Sequence, residues 1–262
     1  MPPQLNPKSH RSAFSLVELS IVLVILGLLT GGILTGQNLI RAAELRSVTT
    51  EFREYQSAIM TFRDKYFALP GDMKNATDFW GAMTNCAAAS PSGTGTQTCN
   101  GDGDGQIFKA AAASQTGEMF GIWQQLANAG LIEGSYTGIA GSGGAGHALV
   151  GENIPISKFN QGGWLAYYFG TSTGWFSSVK SNKLIIGGQH ATGWSVTPIF
   201  SPEEILNIDQ KMDDGKPGSG KVMAPDPASS TAPNCATSTD AATASYSLTL
   251  QTTECFGFFF LD

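Results

Sequence analysis

A long uncharged run near the N-terminus constrains this chain more than any other feature of its sequence. Residues 19–40 carry no formal charge, and the part up to residue 34 is dominated by Ile, Val and Leu. A helix of roughly 20 such residues crosses a bilayer core of about 30 Å, because each residue adds about 1.5 Å to its length. The run therefore predicts one membrane-spanning helix. One acid, Glu18, stands at its start, where hydrocarbon disfavours a charge.

The segment before the run is short and basic. Residues 1–13, MPPQLNPKSHRSA, contain Lys8, His10 and Arg11 but no acid. Positive flanks of a span stay in the cytoplasm, so we expect the rest of the chain outside. The alternative is a secretory signal peptide, whose apolar region of about 7 to 15 residues ends at a cleavage site of small residues. The run here is longer and continues without proline into a helical pattern, which favours a retained helix.

The helical pattern extends beyond the span. Apolar residues recur at steps of three and four, which keeps one face of a helix apolar. They are Leu45, Val48, Phe52, Tyr55, Ile59, Phe62 and Tyr66, and the charged residues Arg46, Glu51, Arg53, Glu54, Arg63 and Asp64 are assigned to the other faces. The first proline after the leader is Pro70. One helix is therefore predicted over residues 14–67, with a transmembrane segment at 14–36 and its second half packed on a folded head.

The junction between the leader and the helix resembles that of a known family. The residues AFSLVEL, 13–19, resemble the class III signal of type IV pilins and type II secretion pseudopilins. In that family a short basic leader ends in a small residue, followed by Phe, a Glu at the fifth mature position and a long apolar helix. Ala13 stands where the family usually has Gly. The resemblance implies that a prepilin peptidase cuts between Ala13 and Phe14 and methylates the Phe14 amine.

The resemblance also implies a role for Glu18 and a set of partners. The carboxylate of Glu18 would pair with the Phe14 amine of a neighbouring subunit and set the register between helices. The implied partners are copies of the chain or other pilin-like subunits, the prepilin peptidase and an inner-membrane assembly platform. The chain would cross the inner membrane once, with its N-terminus in the cytoplasm and its head in the periplasm. After assembly into a filament the head would be periplasmic or extracellular. A Glu18 that simply lies among the lipid headgroups is the alternative.

The head, residues 68–262, has the sequence pattern of an α+β fold. Helices are predicted at 117–129 and 201–215. Strand-like runs are GWLAYYFG, GWFSSV, KLIIGG, GWSVTPIF and the terminal SYSLTLQTTECFGFFFLD. Together they predict an antiparallel sheet packed on the long helix, with the terminal phenylalanines in the core. This is a pilin-like architecture with loop insertions, and YFALPGD with the later GDGDG run resembles a large-headed subgroup.

All four cysteines lie in the head. They are Cys86, Cys99, Cys235 and Cys255. An even number of cysteines in an oxidising periplasm predicts two disulfides. Four cysteines can pair in three ways, one of which joins nearest neighbours in sequence, and all three stay open. The resemblance favours a bond between Cys235 and Cys255, because a disulfide-closed loop near the C-terminus is common in type IV pilins. A zinc site is disfavoured, since no C-x-x-C occurs and only two histidines lie in the head.

The segment NGDGDGQIF, 100–108, resembles the first half of a calcium loop. Alternating oxygen donors in such a loop point to one cation, and a glycine permits the sharp turn. The candidate donors are Asn100, Asp102 and Asp104. The twelfth position is Ala111, which offers no carboxylate, so a nearby acid such as Glu118 would have to complete a non-standard site. A plain Gly-Asp turn is the alternative, and calcium is the one cofactor that the sequence suggests.

A second group of acids follows the predicted helix at 201–215. The helix begins with Ser201 as the N-cap and Glu204 three residues later, the signature of a capping box. Near its end lie Asp209, Asp213 and Asp214. The helix dipole disfavours negative charge there, but Lys211 and Lys216 are close by in sequence. A solvated turn is therefore predicted rather than a metal site.

Neither of two enzyme-like motifs has its required context. GTSTG, 170–174, fits a nucleophile elbow but lacks a following helix and an acid before the next histidine. GSGGAG, 141–146, fits a dinucleotide fingerprint but lacks a following helix and the expected acid. A formal charge of −6 argues against nucleic acid as a partner. The predicted function is a non-catalytic subunit of a type IV pilus or a type II secretion pseudopilus. The alternative is a membrane-anchored periplasmic binding or adhesion protein that does not polymerise.

Overall fold

The chain has the predicted α+β class, with a long apolar N-terminal helix and a small antiparallel sheet. The computed structural model describes residues 15–86, 90–93, 95–169, 176 and 180–261. The helices are α1 (Leu16–Tyr66), α2 (Ala76–Trp80), α3 (Glu118–Asn128) and α4 (Pro202–Met212), and the strands are β1 (Gly163–Phe169), β2 (Ser181–Gly187), β3 (Val222–Met223) and β4 (Gly257–Phe260). The chain forms two compact units, residues 1–43 and 44–262.

The first unit contains the apolar beginning of α1. One 18-residue window of this helix has a mean hydropathy of 2.4, and none of that window is buried. By length and composition the helix can cross a membrane, a criterion that an N-terminal signal sequence also meets. Polar side chains in the run bond to their own helix: the hydroxyl of Thr30 donates to Leu26 O and that of Thr35 to Gly31 O, both at 2.9 Å. In a bilayer these hydroxyls would therefore already have a hydrogen-bond acceptor.

In the second unit, the later part of α1 buries the predicted apolar face. Val48, Phe52, Ile59 and Phe62 are all at most 5% exposed. The ring of Phe52 lies 5.1 Å from that of Phe259 in β4. Aromatic pairs of this kind add about 0.5–1.5 kcal/mol to the effect of area burial. This half of the helix is therefore held by packing rather than by helix propensity alone.

The sheet has the strand order β1-β2-β4-β3, and each neighbouring pair is antiparallel. Ile185 at the centre of β2 pairs with Leu165 of β1 on one side and with Phe258 of β4 on the other. Phe256 and Phe258 to Phe260 are buried, which confirms their predicted place in the core. The C-terminal strand therefore contributes both hydrogen bonds and apolar side chains to the centre of the head.

Both disulfides join nearest neighbours in sequence. Cys86 bonds to Cys99 and Cys235 to Cys255, with Cα–Cα distances of 5.6 and 5.0 Å. The second disulfide closes a loop that returns to Phe200, two residues before α4, because Phe200 N donates to Cys255 O at 3.0 Å. The bond therefore ties the C-terminal loop to the start of this helix.

Several predicted strands are shorter than expected or absent from the described chain. The prediction for GWSVTPIF is wrong: only isolated bridges, such as that of Thr197 with Gly188, occur there, and Pro198 has no amide hydrogen to donate. Of the long C-terminal run only Gly257–Phe260 is a strand. GWFSSV lies outside the described residues except for Phe176. Helix α4 ends at Met212 rather than at 215, because the backbone leaves the helical conformation at Asp213.

Candidate functional site

Glu18 lies in the first turn of α1 and has a local hydrogen-bond partner. Its Oε2 accepts from Ser15 N at 2.9 Å, and Ser15 Oγ accepts from Val17 N at 3.3 Å. This arrangement is close to a capping box, and the spacing Ser-x-x-Glu that signals it was not recognised in the sequence. Glu18 therefore stabilises the helix start within its own chain. Ala13 and Phe14, the predicted processing residues, lie outside the described residues.

Four glycines interrupt the apolar run, and no contact with the described part of the chain requires them. They are Gly27, Gly31, Gly32 and Gly36. A Cβ atom placed on any of them would meet nothing within 4 Å. The helix nevertheless continues through all four. They form two small-xxx-small pairs that leave a backbone surface open to another helix.

Three carboxylates converge beside the Gly-Asp loop, residues 100–108. Asp72, Asp102 and Glu118 can each direct an oxygen to within 4.8 Å of the other two, and we call this group the loop cluster. Asp72 is buried, Asp102 is exposed and Glu118 is intermediate. Asp102 and Glu118 are the pair of acids that the sequence pattern predicts to meet. That prediction did not include Asp72, the last residue of YFALPGD.

The Gly-Asp loop wraps around two of these carboxylates through its backbone. Asp72 accepts from Gly103 N and from Gly105 N, the latter at 2.8 Å. Glu118 accepts from Asp102 N at 3.2 Å and from Phe108 N at 3.0 Å. The two glycines have φ angles of 70° and 84°, a region that side-chain-bearing residues rarely adopt. The YFALPGD and GDGDG motifs are therefore partners in one structure, since the loop supplies the donors that bind Asp72.

Two of the three predicted calcium donors bond elsewhere. Asn100 Oδ1 accepts from Thr77 N at 2.9 Å. The Asp104 carboxylate accepts from Gln106 N at 2.7 Å and from Gln106 Nε2 at 3.0 Å. Of the predicted donors, the structure brings only Asp102 into the loop cluster. A calcium site stays a prediction, now centred on the loop cluster rather than on successive loop positions.

Burial raises the pKa of both inner carboxyls of the loop cluster. The pKa of Glu118 rises to about 7, although the amides of Phe108 and Asp102 oppose the shift; the charges of Asp72 and Asp102 add to it. Burial also raises the pKa of Asp72, although its hydrogen bonds from the amides of Gly105 and Gly103 act to lower it. A carboxyl with a pKa near 7 holds a proton part of the time at neutral pH. A divalent cation would displace that proton, because the ligating form of a carboxylate is deprotonated.

The acids at the end of α4 form a second group, Asp209, Asp213 and Asp214, which we call the helix-end cluster. The predicted solvated turn is wrong for Asp209, which is 0% exposed because it shares the inner face of the helix with Ile205 and Ile208. Its Oδ2 accepts from the Tyr246 hydroxyl at 2.7 Å. Burial raises the pKa of Asp209 to about 7, against the hydrogen bonds of Tyr246 and Gly215.

The outer two members of the helix-end cluster bond to the loop that follows. Asp213 accepts from Lys221 N, and Asp214 accepts from Lys216 N at 2.9 Å and from Ser219 Oγ at 2.7 Å. In these bonds the two lysines donate through their backbone amides rather than through their ammonium groups. The cluster therefore fixes the path of the chain after α4.

Glu51 is buried, so its predicted position on a solvent-facing side of α1 is wrong. The residue is 5% exposed. Its carboxylate accepts from Ser157 Oγ at 2.6 Å, Trp164 Nε1 at 2.8 Å and Lys158 N at 2.9 Å. The available signal was its spacing, three residues after Val48, which places it on the buried face. Glu51 joins α1 to β1 and to the segment before it.

The structure describes one of the two enzyme-like motifs, GSGGAG. GTSTG lies outside the described residues. GSGGAG forms a turn against His147, Thr192 and Trp194, and a Cβ on Gly146 would lie 2.1 Å from Trp194 Nε1. Close packing therefore explains a glycine in this motif.

Comparison with known proteins adds one finding. The model of the prokaryotic N-terminal methylation motif matches residues 8–34. No curated protein and no solved structure gives a significant match to the chain. The matched segment contains Ala13, Phe14 and Glu18 and the start of α1. This motif is the signal of type IV pilins and pseudopilins, so the chain carries the signature of a pilin-like precursor, and it fits a protein anchored in the inner membrane.

Proposed function

We propose that this chain, which carries the methylation signal of type IV pilins and pseudopilins, is a non-catalytic filament subunit of a pilus or a secretion pseudopilus. The observation that carries the proposal is the motif at residues 8–34, followed by an apolar helix with no buried residue in its hydrophobic window. A prepilin peptidase removes residues 1–13. The processed subunit stays anchored in the inner membrane, with its head in the periplasm, until an assembly platform adds it to a filament.

Processing gives Glu18 a partner of opposite charge. A charged side chain at the centre of a membrane helix costs roughly 2.5–3.5 kcal/mol on insertion scales. Glu18 lies in the first turn, where the cost is smaller, but a carboxylate at the edge of the span is still a functional candidate. Cleavage after Ala13 creates an amine on Phe14, four positions before Glu18. The Phe14 amine of one subunit meets the Glu18 carboxylate of the next, and this contact sets the register of adjacent helices. The open glycine surface at Gly27 and Gly31 lets those helices approach closely.

The mature N-terminus tests the first step. Mass spectrometry of the protein from its native membrane should find N-methyl-phenylalanine at residue 14. An intact Met1, or a cut beyond residue 30, contradicts the proposal. A processed N-terminus in a protein that never enters filaments favours the alternative, a membrane-anchored periplasmic binding or adhesion protein.

Two variants of Glu18 separate its assembly role from its local hydrogen bond. Glu18→Gln keeps an oxygen that can accept from Ser15 N but removes the charge, whereas Glu18→Ala removes both. If the pair with the Phe14 amine sets the register, both variants should remain in the membrane and be lost from sheared filaments on immunoblots. Normal incorporation of Glu18→Gln with loss of Glu18→Ala would assign Glu18 to capping alone.

A further inference from the structure

A groove of about 1010 Å³ opens on the head at the C-terminal end of α1. Its walls come from the last turns of α1, the segment that follows, the Gly-Asp loop and the beginning of β2. The proposed function makes no use of this groove. Six lining residues bear on its chemistry: Arg63, Phe67, Lys74, Asn75, Lys180 and Ser181.

The side chains on the groove offer more hydrogen-bond donors than acceptors. Arg63, Lys74 and Lys180 are exposed, and among the described residues their charged groups make no ion pair or hydrogen bond. Two acids also line the groove, Asp64 and Asp72, but the Asp72 carboxylate is bound by loop amides. With three cations against two acids, the groove lining carries a small excess of positive charge on a chain whose formal charge is −6. A ligand that satisfies it must bring oxygen acceptors and negative charge.

Phe67 presents an aromatic ring to solvent in a strained position. The residue is 93% exposed and has a φ of 53°, directly after the last residue of α1. Its N–H donates to Arg63 O at 2.8 Å, so it occupies the left-handed position after a helix where glycine is usual. For a bulky residue this conformation is a genuine outlier. Neither packing nor backbone preference explains a phenylalanine here, and strained residues cluster at ligand clamps and other functional sites.

Ser181 adds an unsatisfied group to the wall of the groove. The residue is 5% exposed, and its hydroxyl has no hydrogen-bond partner in the described structure. Buried hydroxyls almost always have one, so each exception requires an explanation. The Ser181 oxygen is also shielded from solvent, so a ligand in the groove would bind the exposed residues of the lining rather than this hydroxyl.

We infer that the groove binds an acidic polysaccharide. Carboxylates of the polymer pair with Arg63, Lys74 and Lys180, and the apolar face of a sugar ring stacks on Phe67. Sugar hydroxyls supply further partners for the amide of Asn75. Nucleic acid also combines charge with flat rings, but its successive bases stack on a series of aromatic side chains. Among the described residues of the groove lining, Phe67 is the one exposed aromatic ring. Acidic peptides match the cations but lack a rigid ring with a flat apolar face for Phe67.

The test uses the full chain in detergent micelles and oligogalacturonate as the probe. Isothermal titration calorimetry should show binding that weakens as salt rises, because the contacts are ionic. Phe67→Gly should weaken binding at least about tenfold, or about 1.4 kcal/mol. The same variant should melt at the same or a higher temperature, since glycine adopts the left-handed conformation without strain. Loss of affinity with preserved folding is a result that a merely structural Phe67 cannot give.

Matched variants locate the charges and the ring. Arg63→Gln and Lys180→Gln should each weaken binding and reduce its salt dependence. Lys211→Gln on α4 and Phe79→Ala, an exposed aromatic residue outside the groove lining, should leave binding unchanged. The inference is overturned if oligogalacturonate gives no heat, or if neutral dextran binds equally well. Tighter binding of oligo-glutamate or of a single-stranded oligothymidylate overturns it as well, and assigns the groove to a peptide or to nucleic acid.

Discussion

The two acidic clusters of the head hold their carboxylates in different ways. In the loop cluster, backbone amides bind Asp72 and Glu118 while Asp102 is exposed, and a cavity of about 320 Å³ lined by Asp102 and Glu118 adjoins them. In the helix-end cluster, Asp209 is fully buried and bonded to the Tyr246 hydroxyl. The first arrangement leaves carboxylate oxygens within reach of a solute. In the second arrangement the Asp209 carboxylate is buried and a solute cannot reach it.

The difference shows that three acids close together in space do not by themselves define a binding site. Both clusters contain three acids, and in each burial raises the pKa of one carboxyl to about 7. In the loop cluster burial raises the pKa of Glu118 and the neighbouring charges of Asp72 and Asp102 add to the shift; a cation bound there would oppose it. In the helix-end cluster the raised pKa results from burying Asp209, whose carboxylate bonds to Tyr246 inside the head. Removing protons, adding cations and deleting single donors should therefore affect the two clusters differently.

The largest expected effect is a loss of stability as pH rises. The folded pKa of Asp209, about 7, lies above its ordinary value of 3.8, so the folded state binds more protons between these values. Stability should therefore fall as pH rises from about 4 to about 7 and change little just above. For the fully buried Asp209 the effect is on the order of 4 kcal/mol, and Glu118 and Asp72 act in the same direction.

Urea denaturation at pH 5 and pH 8, followed by tryptophan fluorescence of the full chain in micelles, measures this loss. Asp209→Asn should remove a large part of the pH dependence, because the amide carries no charge at either pH. Asp240→Asn, at an exposed acid outside both clusters, is the matched control. Equal stability at the two pH values would show that Asp209 is not held in its protonated form.

Calcium should distinguish the clusters by the next largest effect. If the loop cluster binds calcium, the free ion at about 100 times its dissociation constant stabilises the head by about 2.7 kcal/mol. Asp102→Asn and Glu118→Gln should abolish the calorimetric heat, whereas Asp214→Asn should leave it intact. The stabilisation should grow with pH, because protons compete for Glu118. An unmutated chain that gives no heat rules the calcium site out.

Sequence alone predicted the features that depend on local signals. The repeat of apolar residues marked the buried face of α1, and Ser201 with Glu204 marked the start of α4, where the structure shows a full capping box. The small-Phe junction and Glu18 identified the methylation signal that the family model also matches. Each of these signals lies within a few residues, so neither tertiary packing nor burial needs to be known.

The missing parts depend on contacts between distant segments. Asp72 joins the loop cluster through amides about thirty positions later, and the bond between Tyr246 and Asp209 spans 37 residues. Glu51 was placed on the wrong face because a charged residue was taken as evidence of exposure. Its three donors, which include Trp164 Nε1, come from a segment more than 100 residues away. Which buried acid finds partners is a property of the assembled core.

Tyr246→Phe should have an intermediate effect that is confined to the helix-end cluster. The change deletes the hydroxyl that donates to Asp209 and leaves a buried acceptor with one donor fewer, which costs about 1–3 kcal/mol. The loss should be greater at pH 8 than at pH 5, since the charged carboxylate needs the donor more. Tyr136→Phe, which removes an exposed hydroxyl bond to Glu133 O, is the control and should change stability little. A loss that does not vary with pH would mean that Asp209 keeps one protonation state throughout.

The smallest effect, that of Asp104→Ala, decides between the donors suggested by sequence and those suggested by structure. Asp104 is the fifth position of the presumed calcium loop, so the sequence pattern requires it as a ligand. In the structure its carboxylate bonds to Gln106 and lies outside the loop cluster. Asp104→Ala should therefore cost only about 0.5–1.5 kcal/mol of stability and leave the calcium heat unchanged. Loss of the calcium heat in Asp104→Ala but not in Glu118→Gln would contradict this assignment. Calcium would then bind to the successive donors of the Gly-Asp loop, and neither acidic cluster would bind a cation.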